Sequence, residues 1–425
     1  MADTSAGSAP AAPAAPRSPL GGRWGIAVAA VLVQLALGAV YAWSVFNKPL
    51  QGQFGWSRSE VVLPFEVAIG TIVIGTIIGG RIQDRRGPRP VALVGVVLYS
   101  AGIMLASLVS SRDQLWLLVL TYGVMGGIGL GLAYITPIAM LVKWFPDKRG
   151  LITGIAVGGF GFGAVITGPV ATAMLEDTGD KTSVFLPLGA AYLIAGLAGA
   201  ALFRNPPAGY TVAGHEPQPA AGAAGTTGSG AFDLRGALRT RQWYLLTGIL
   251  FLNTLCGIAF ISQASDAAQE VAGVDVRTAA TFVGLMGLFN GGGRILWAAL
   301  SDRIGRMPTF LGMLAVQGVA FLLLPHVAFA LFAVLSALIY LAYGGGFGTM
   351  PATAADFFGT PHAGAIYGAM IVAWSAGGVV GPLLAARLYE SSGGYGLPFT
   401  VLGIVALAAL VLPLVTRPPR VTPSR

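Results

Sequence analysis

Apolar runs long enough to cross a lipid bilayer recur along nearly the whole chain, and this pattern restricts its fold more than any other feature. A spanning helix needs about 20 mainly apolar residues. Runs of that kind fall near residues 24–46, 60–80, 91–111, 114–142, 150–175, 182–203, 243–265, 278–301, 307–325, 327–350, 363–386 and 397–416. The sequence therefore predicts an all-α integral membrane protein with twelve transmembrane helices.

The composition agrees with a polytopic membrane protein and argues against other classes. Of the 425 residues, 55% are hydrophobic and only 10% are charged. The formal net charge of +8 comes from cations in short loops between apolar runs, so membrane topology explains it better than nucleic-acid binding does. The single cysteine, Cys256, excludes an internal disulfide and a cysteine-based metal cluster. We expect no metal, no nucleic-acid partner and no resident cofactor.

The chain divides into two halves of six predicted helices joined by a polar connection. Its start is rich in Ala, Pro and Ser and has no apolar core beside a basic segment, which is typical of a disordered tail rather than a signal peptide. The connection contains the low-complexity stretch AGAAGTTGSG, which indicates a flexible linker. The predicted units are a tail at 1–20, an N-terminal half at 21–205, a linker at 206–242, a C-terminal half at 243–416 and a tail at 417–425.

Basic residues determine the predicted orientation. Most of the 25 Lys and Arg residues fall on one side if both termini and the linker are cytoplasmic. Cytoplasmic loops of membrane proteins carry such an excess of basic residues. We therefore predict a multi-pass protein of the plasma (inner) membrane, surrounded by the lipid bilayer, with both termini in the cytoplasm. We expect it to function as a monomer.

The two halves repeat one another in order. The loop after the second predicted helix and the loop after the eighth carry the same residues at the same spacing: Asp84, Arg85, Gly87 and Pro90 in the first, and Asp302, Arg303, Gly305 and Pro308 in the second. A Gly-Pro pair also occurs at corresponding places in the fifth and eleventh helices. Such an ordered set predicts parallel repeats of six helices, a known arrangement in transporters.

One arginine interrupts the eighth predicted helix. The stretch from Thr278 to Ser301 is otherwise uncharged, and Arg294 lies about 10 Å from its inner end. An arginine at mid-span costs about 2.5–3.5 kcal/mol on insertion scales. It is either a structural arginine that snorkels to water or a fixed cation that binds an anion in a water-filled path, and we favour the cation. Asn290 lies one turn earlier and can orient it, while the glycines at 291–293 allow close approach of a helix or ligand.

The loop GGRIQDRRGPRP at 79–90 resembles the signature between helices two and three of the major facilitator superfamily. Four further stretches narrow the resemblance to the oxalate/formate antiporter family, whose members are related to the animal monocarboxylate (lactate) transporters: GAVYAWSVF at 38–46, KWFPDKRGLITGIAVGGFG at 143–161, NGGGRILWAALSDRIGR at 290–306 and GGGFGTMPATAADFFG at 344–359. The resemblance implies the major facilitator fold and a carrier of small carboxylates that works by alternating access.

The resemblance also implies a substrate class. Members of the family hold the substrate carboxylate with the arginine of helix eight, where this chain has Arg294. Oxalate exchangers add a lysine in the middle of helix eleven, and Trp374 stands at the corresponding place. One cation would leave an oxalate dianion undercompensated in a low-dielectric cavity. We therefore predict a transporter of small monocarboxylates such as lactate, pyruvate or formate, with oxalate/formate antiport as the alternative.

The site pattern leaves coupling to protons open. The animal relatives place an aspartate one turn before the helix-eight arginine, whereas this chain has Asn290, which cannot ionise. An arginine side chain stays protonated and is a poor proton carrier. A co-transported proton would enter with the acid itself, or by way of Glu66, Asp266 or Asp356. Symport with protons and exchange of anions are therefore both retained.

Polar and aromatic side chains from several helices are predicted to surround the helix-eight arginine. In this interpretation an amide and two phenols face the substrate and two larger rings form apolar walls; for each of these residues, core packing is the alternative. The predicted substrate-binding set is Arg294, Asn290, Tyr134, Gln34, Tyr41, Phe347 and Trp374. Breakable ion pairs at helix ends are predicted to gate the carrier through Asp84, Arg85, Asp302 and Arg303, with anchoring to anionic lipid as the alternative for Arg85.

Two other classes of function fit the sequence less well. An integral-membrane enzyme would need a nucleophile and base, or metal ligands, converging within the bilayer. The three histidines, His215, His326 and His362, lie in the linker or at helix ends. A membrane sensor would add a soluble signalling domain, and the tails and linker are too short for one. We expect no catalytic residues and no enzyme activity.

Overall fold

The computed structural model describes residues 22–207, 209–212 and 231–419, and helices make up most of this part of the chain. The tail predicted at 1–20 and most of the linker predicted at 206–242 lie outside the described residues, as does the end of the tail predicted at 417–425. Ala, Leu, Val and Gly dominate the helices, so side chains face lipid or neighbouring helices with few polar interruptions.

The N-terminal half contains eight helices that form six spans. The first span is α1 joined to α2 by the 3-10 segment Ala39–Trp43, and the fourth is α5 joined to α6 by the π-helical segment Val119–Gly126. The helices are α1 (Arg23–Gly38), α2 (Ser44–Phe54), α3 (Arg58–Arg86), α4 (Pro88–Ala106), α5 (Leu115–Leu118), α6 (Gly127–Trp144), α7 (Arg149–Asp177) and α8 (Phe185–Ala200).

The C-terminal half repeats this order after a short helix at the end of the linker. The eleventh span is α14 followed directly by α15, and the twelfth is α16 followed by α17. The helices are α9 (Leu234–Leu238), α10 (Arg241–Ala272), α11 (Val276–Ile304), α12 (Arg306–Leu323), α13 (Phe329–Phe358), α14 (Ala363–Met370), α15 (Val372–Ser392), α16 (Gly396–Ala408) and α17 (Val411–Val415).

The spans agree with the predicted number. Within the described residues, ten helical segments are long and apolar enough to cross a membrane, and α8 is a shorter apolar helix of 16 residues. The remaining span is α11, a 29-residue helix whose apolar run is interrupted by Asn290, three glycines and Arg294. Together these segments make twelve spans in the described part of the chain. The predicted all-α membrane fold is confirmed.

The internal repeat is visible in the backbone. Gly87 ends α3 with φ +86°, and Gly305 ends α11 with φ +94°. A side chain rarely tolerates such a positive φ, so glycine is required at both turns. The two halves therefore reverse direction after their second span by the same local geometry, as the matching loop sequences predict.

The two halves meet mainly through two helices of the N-terminal half. Helix α3 packs against α14 and the start of α15, and helix α7 packs against α11 and α13. Glycines allow both approaches, because a Cβ at Gly80 would overlap the carbonyl oxygen of Gly364, and one at Gly154 would lie 2.5 Å from the carbonyl oxygen of Arg294. Gly158 of α7 packs against Ile295 of the other half.

Candidate functional site

Arg294 lies inside the protein and not at its lipid surface. Its side chain is among the largest that are fully buried, with 1% of the residue exposed. Nη1 donates a hydrogen bond of 3.3 Å to the carbonyl oxygen of Val157, and Nε donates one of 3.4 Å to Oδ1 of Asn290. The guanidinium carbon is 5.7 Å from the ring centre of Phe160 and 5.2 Å from that of Phe347. A snorkelling arginine would reach water, so this geometry favours the fixed cation.

The charge of Arg294 is compensated only in part. Among the described residues it forms no ion pair with a carboxylate, and its Nη2 atom is buried without a hydrogen-bond partner. Each ring face contributes about 0.5–2 kcal/mol to holding a cation. A buried charge without a full set of partners is costly. The arrangement therefore holds a cation ready to interact with an added anion.

Aromatic rings from both halves enclose the space beside the guanidinium. Trp374 of α15 is 1% exposed and lies at the centre of this group. Its ring centre is 6.3 Å from that of Tyr41, 6.0 Å from that of Tyr134, 6.1 Å from that of Phe160 and 5.3 Å from that of Phe347. We call these five residues together with Arg294 the central cluster. Because its members come from different halves, any rocking of the halves must change it.

The first span brings two predicted polar residues to this region by different backbone geometries. Gln34 of α1 is fully buried, and its Nε2 donates a hydrogen bond of 3.4 Å to the carbonyl oxygen of Tyr134 while Oε1 has no partner. Tyr41 lies in the 3-10 segment. Just before this segment, at its last residue Gly38, α1 approaches α7 closely. A short 3-10 stretch inside a span is common at functional hinges.

The structure brings all seven predicted substrate-binding residues into one contiguous region. Besides Arg294 itself, five contact the guanidinium or the aromatic rings around it, and Gln34 reaches the region through the backbone of Tyr134. Their role in binding a substrate stays a prediction. Sequence reasoning missed Phe160, Tyr343 and Tyr367, which lie in the same region. Tyr343 stands one turn before Phe347 on the same helix face, and that spacing was the available signal.

The unpartnered polar atoms of this region are mostly donors. The hydroxyls of Tyr41, Tyr134 and Tyr367, the indole N–H of Trp374 and Nη2 of Arg294 are buried without hydrogen-bond partners among the described residues. Native proteins leave few buried polar groups unpaired, so each exception needs an explanation. A carboxylate accepts several hydrogen bonds and donates none. The chemistry of these atoms fits a small organic anion.

Asp84 and Asp302 join the two halves at one end of the bundle, which we call the ionic end. Oδ2 of Asp84, on α3, accepts a hydrogen bond of 2.8 Å from the backbone N–H of Ala365, on α14. Asp302, on α11, accepts bonds of 2.9 Å and 2.8 Å from the backbone N–H groups of Gly150 and Leu151 at the start of α7. A carboxylate at a helix N-terminus is electrostatically favourable. Two predicted gating residues thus bridge the halves in the same way.

A second set of contacts at the ionic end centres on Asp356 of α13. Its two carboxylate oxygens accept bonds of 2.8 Å from Arg149 of the N-terminal half and 2.8 Å from Arg306 of the C-terminal half. Arg306 also pairs with Asp302 at 2.7 Å. Sequence reasoning did not place Arg149 or Arg306 in a gate, because their shared partner Asp356 is distant from both along the chain.

The two predicted gating arginines behave differently from the aspartates. Arg85 and Arg303 are exposed, and neither forms an ion pair within the part of the chain that the structure describes. Their side chains do not bridge the halves in this conformation. A gating role for them stays a prediction, and exposure at the membrane edge agrees equally with the anchoring alternative for Arg85.

Buried hydroxyls add neutral contacts between the halves above the ionic end. Oγ1 of Thr76 donates a hydrogen bond of 2.9 Å to the carbonyl oxygen of Gly368, and Oγ1 of Thr153 donates one of 2.8 Å to that of Gly348. Both bonds cross from one half to the other. The halves are therefore closed at the ionic end by a few bonds that are individually modest and breakable.

The described part of the chain has twelve spans in two similar halves. A buried cation lies between the halves, and breakable contacts join them at one end. This is the architecture of a membrane transporter. The sequence profile of the Major Facilitator Superfamily matches residues 26–380 and 293–425, and the chain belongs to this superfamily.

Known proteins similar to this chain include transporters of small carboxylates. The chain is 27% identical to the oxalate:formate antiporter of Oxalobacter formigenes over 94% of both chains. It is 28% identical to YhjX, an uncharacterized MFS-type transporter of Escherichia coli (strain K12), over 84% of this chain and 86% of that protein. It is 31% identical to monocarboxylate transporter 1 of Bos taurus, over 42% of this chain and 36% of that protein.

A solved transporter shares the fold. The crystal structure of FucP, a transporter of the same superfamily in the outward conformation, superposes with a TM-score of 0.70 over 92% of this chain and 98% of that one, at 14% identity. At that identity the similarity shows the fold alone.

Proposed function

We propose that this protein is a secondary active carrier of small monocarboxylates of the lactate and pyruvate class. In this proposal the substrate carboxylate pairs with Arg294 between the halves, and rocking of the halves exposes the site to either side of the membrane in turn. The observation that carries the proposal is a buried cation with no acidic partner among the described residues, next to unpartnered donors that a carboxylate can satisfy. The proposed activity is transport and not chemical conversion.

The charge of the central cluster supports a monoanion. Among the described residues, Arg294 is its one cation, and the other members are aromatic. Lys143, a partly buried cation at the ionic end, lies 3.7 Å from Asp84 and is already paired. A second negative charge in a low-dielectric site would be expensive without a second cation. The ring faces of Phe160 and Phe347 suit the short apolar part of a lactate or pyruvate molecule.

Exchange of oxalate for formate is the second candidate. It is supported by the similarity to the oxalate:formate antiporter of Oxalobacter formigenes, which extends over 94% of both chains. Trp374 weighs against it, since an indole supplies one N–H donor and no charge. The two candidates differ in one measurable property, the preference between a monoanion and a dianion.

The mode of coupling, anion exchange or proton symport, depends on the carrier without substrate. With no anion bound, a carbonyl, an amide oxygen and ring faces are the only groups among the described residues that compensate the buried charge of Arg294, so return of the empty carrier is expected to be slow. Exchange of one anion for another avoids this step. Symport with a proton needs a further compensating group, and Asn290 cannot supply it.

We also propose an orientation and a location. The ionic end faces the cytoplasm, the protein lies in the inner membrane, and it functions as a monomer.

Counterflow in proteoliposomes tests the proposal. Vesicles loaded with unlabelled acid would be supplied with labelled lactate, pyruvate, formate or oxalate at two pH values. We expect counterflow of lactate or pyruvate well above that of oxalate. Counterflow restricted to oxalate and formate would favour the second candidate, and absence of flux for all four acids would contradict both. A higher uptake rate at the lower external pH, without a trans substrate, would indicate proton symport.

A further inference from the structure

Two pairs of tyrosines cross from one half to the other on either side of Arg294. Tyr41 of the 3-10 segment faces Tyr343 of α13, and Tyr134 of α6 faces Tyr367 of α14. Each pair joins the N-terminal half to the C-terminal half. The ring centres of Tyr41 and Tyr134 each lie 5.2 Å from that of Phe160, whose ring the guanidinium of Arg294 contacts.

The pairs lie at different depths in the membrane. Helix α13 runs toward the ionic end, so Tyr343 stands one turn, about 6 Å, farther from that end than Phe347. Helices α14 and α15 run away from the ionic end, so Tyr367 stands two turns, about 10 Å, nearer to it than Trp374. Because the rings of Phe347 and Trp374 are in contact at 5.3 Å and share one level, Tyr343 and Tyr367 lie on opposite sides of that level.

The pairs are held weakly. Tyr134, Tyr343 and Tyr367 are at most 2% exposed, and the hydroxyls of Tyr41, Tyr134 and Tyr367 are buried without hydrogen bonds of ordinary geometry among the described residues. The rings exclude water, while the hydroxyls that face each other add little energy. Such a contact blocks a path without locking it, which is the property that a gate next to a binding site requires.

We propose that these pairs are the two inner gates of the carrier. Tyr134 and Tyr367 close the path between Arg294 and the ionic end, and Tyr41 and Tyr343 close the path between Arg294 and the opposite end. Separation of the halves at one end parts one pair while the other stays closed. The assignment rests on the proposed carrier function, but it does not depend on which acid is carried.

A side-specific labelling experiment tests this assignment without any substrate. The buried Cys256 is first replaced by alanine, and a reporter cysteine is placed in the cluster by Phe160→Cys. A membrane-impermeant thiol reagent is then applied from either side of sealed vesicles of each orientation. Arg89→Cys in a separate sample marks the ionic end, since Arg89 is exposed there. Labelling rates are compared between variants of the gate residues.

Truncation of each gate should open one side only. Tyr367→Ala is expected to raise the labelling rate of the reporter from the ionic end about threefold to tenfold, because it removes a buried aromatic ring from the proposed path. Tyr343→Ala is expected to do the same from the opposite end. Tyr340→Ala is the matched control, because Tyr340 is also a buried tyrosine of α13 with an unpartnered hydroxyl but packs against Phe260 in the core of the C-terminal half.

The results separate the gate assignment from the proposed function. Equal increases from both sides with Tyr367→Ala, or increases no larger than with Tyr340→Ala, would overturn the assignment. Side-specific labelling in a protein that moves none of the four acids would support the gates and contradict the proposed substrate class. Variants are compared only after size-exclusion chromatography shows a monodisperse protein. If Tyr367→Ala fails that check, Tyr367→Leu keeps an apolar side chain, removes the ring and must give the same side preference.

Discussion

At the scale of single residues, the structure explains why some site residues could be predicted and others could not. Arg294 and Asn290 interrupt an apolar run, so their cost in the membrane is visible in the sequence itself. Phe160 and Tyr367 belong to the same region, yet in sequence a buried aromatic residue looks the same whether it lines a site or fills a core. Only their approach to the guanidinium distinguishes them.

Charge at position 374 is expected to change the preferred substrate. The indole of Trp374 contacts Phe347 and Tyr134, and its N–H has no partner among the described residues. Trp374→Lys would place an ammonium group in the central cluster, near the guanidinium of Arg294. A second cation should favour a dianion, and we expect the ratio of oxalate to lactate counterflow to rise about tenfold or more, equivalent to about 1.4 kcal/mol. The ratio is measured in proteoliposomes.

Trp374→Leu controls for the loss of the indole ring alone. It removes the same aromatic contacts without adding charge, so it should lower all fluxes without favouring oxalate. An equal rise in the ratio of oxalate to lactate counterflow for both variants would show that the size of the Trp374 side chain, and not the lack of a second cation, excludes the dianion.

At the scale of helices, the sequence predicted the spans but not their local irregularities. Most runs correspond to single helices, which extend past the apolar stretch because polar ends remain helical outside the bilayer; α3, for example, reaches Arg86. The 3-10 segment at Ala39–Trp43 and the π-helical segment at Val119–Gly126 were not predicted. Hydrophobic periodicity over so few residues does not separate these geometries from an α-helix.

Close packing of α3 against α14 is expected to control the closed ionic end. A methyl group at Gly80 would meet the backbone of Gly364, which cannot move aside easily, so Gly80→Ala should destabilise this contact by about 1–3 kcal/mol. We expect a lower midpoint of thermal unfolding in detergent. We also expect faster labelling of the Phe160→Cys reporter from the ionic end.

Gly70→Ala is the matched control for this prediction. Gly70 lies in the same helix with no atom within 4 Å of the added Cβ position. Alanine there should be neutral or stabilise the helix by up to about 1 kcal/mol. Equal destabilisation by both substitutions would show that the α3–α14 contact does not limit stability.

At the scale of the whole molecule, the ionic end holds the halves together through a few shared carboxylates. The internal repeat predicted Asp84 and Asp302 as equivalent residues, and each reaches the start of a helix in the other half. The role of Asp356 could not be read from spacing, since its partners Arg149 and Arg306 lie in different halves. Tertiary packing alone brings them together.

Removal of the negative charge of Asp356 is expected to loosen this end. Asp356→Asn keeps the shape of the side chain but leaves Arg149 and Arg306 without their shared partner. Because the side chains are 13–29% exposed, each ion pair contributes on the order of 1 kcal/mol or less. We expect the Phe160→Cys reporter to be labelled a fewfold faster from the ionic end. At high salt, the difference in labelling rate between this variant and the protein with Asp356 should be smaller.

Asp113→Asn provides the comparison for that measurement. Asp113 is exposed in the short 3-10 segment at the opposite end of the bundle. Its substitution should leave labelling at the ionic end unchanged. If Asp356→Asn behaves like Asp113→Asn, the Asp356 contacts are not part of the closure.

The proposed transport depends on the buried positive charge being the group that binds the transported anion. Its most direct test is counterflow of the preferred acid by purified Arg294→Ala in proteoliposomes, beside Arg294→Lys and Arg387→Ala. Arg387 is an exposed arginine in α15, about 20 Å along the span from Trp374. We predict that Arg294→Ala folds but loses counterflow, that Arg294→Lys keeps a reduced rate, and that Arg387→Ala matches the unmodified protein. Counterflow at the normal rate by Arg294→Ala would contradict the role of Arg294 as the group that binds the anion.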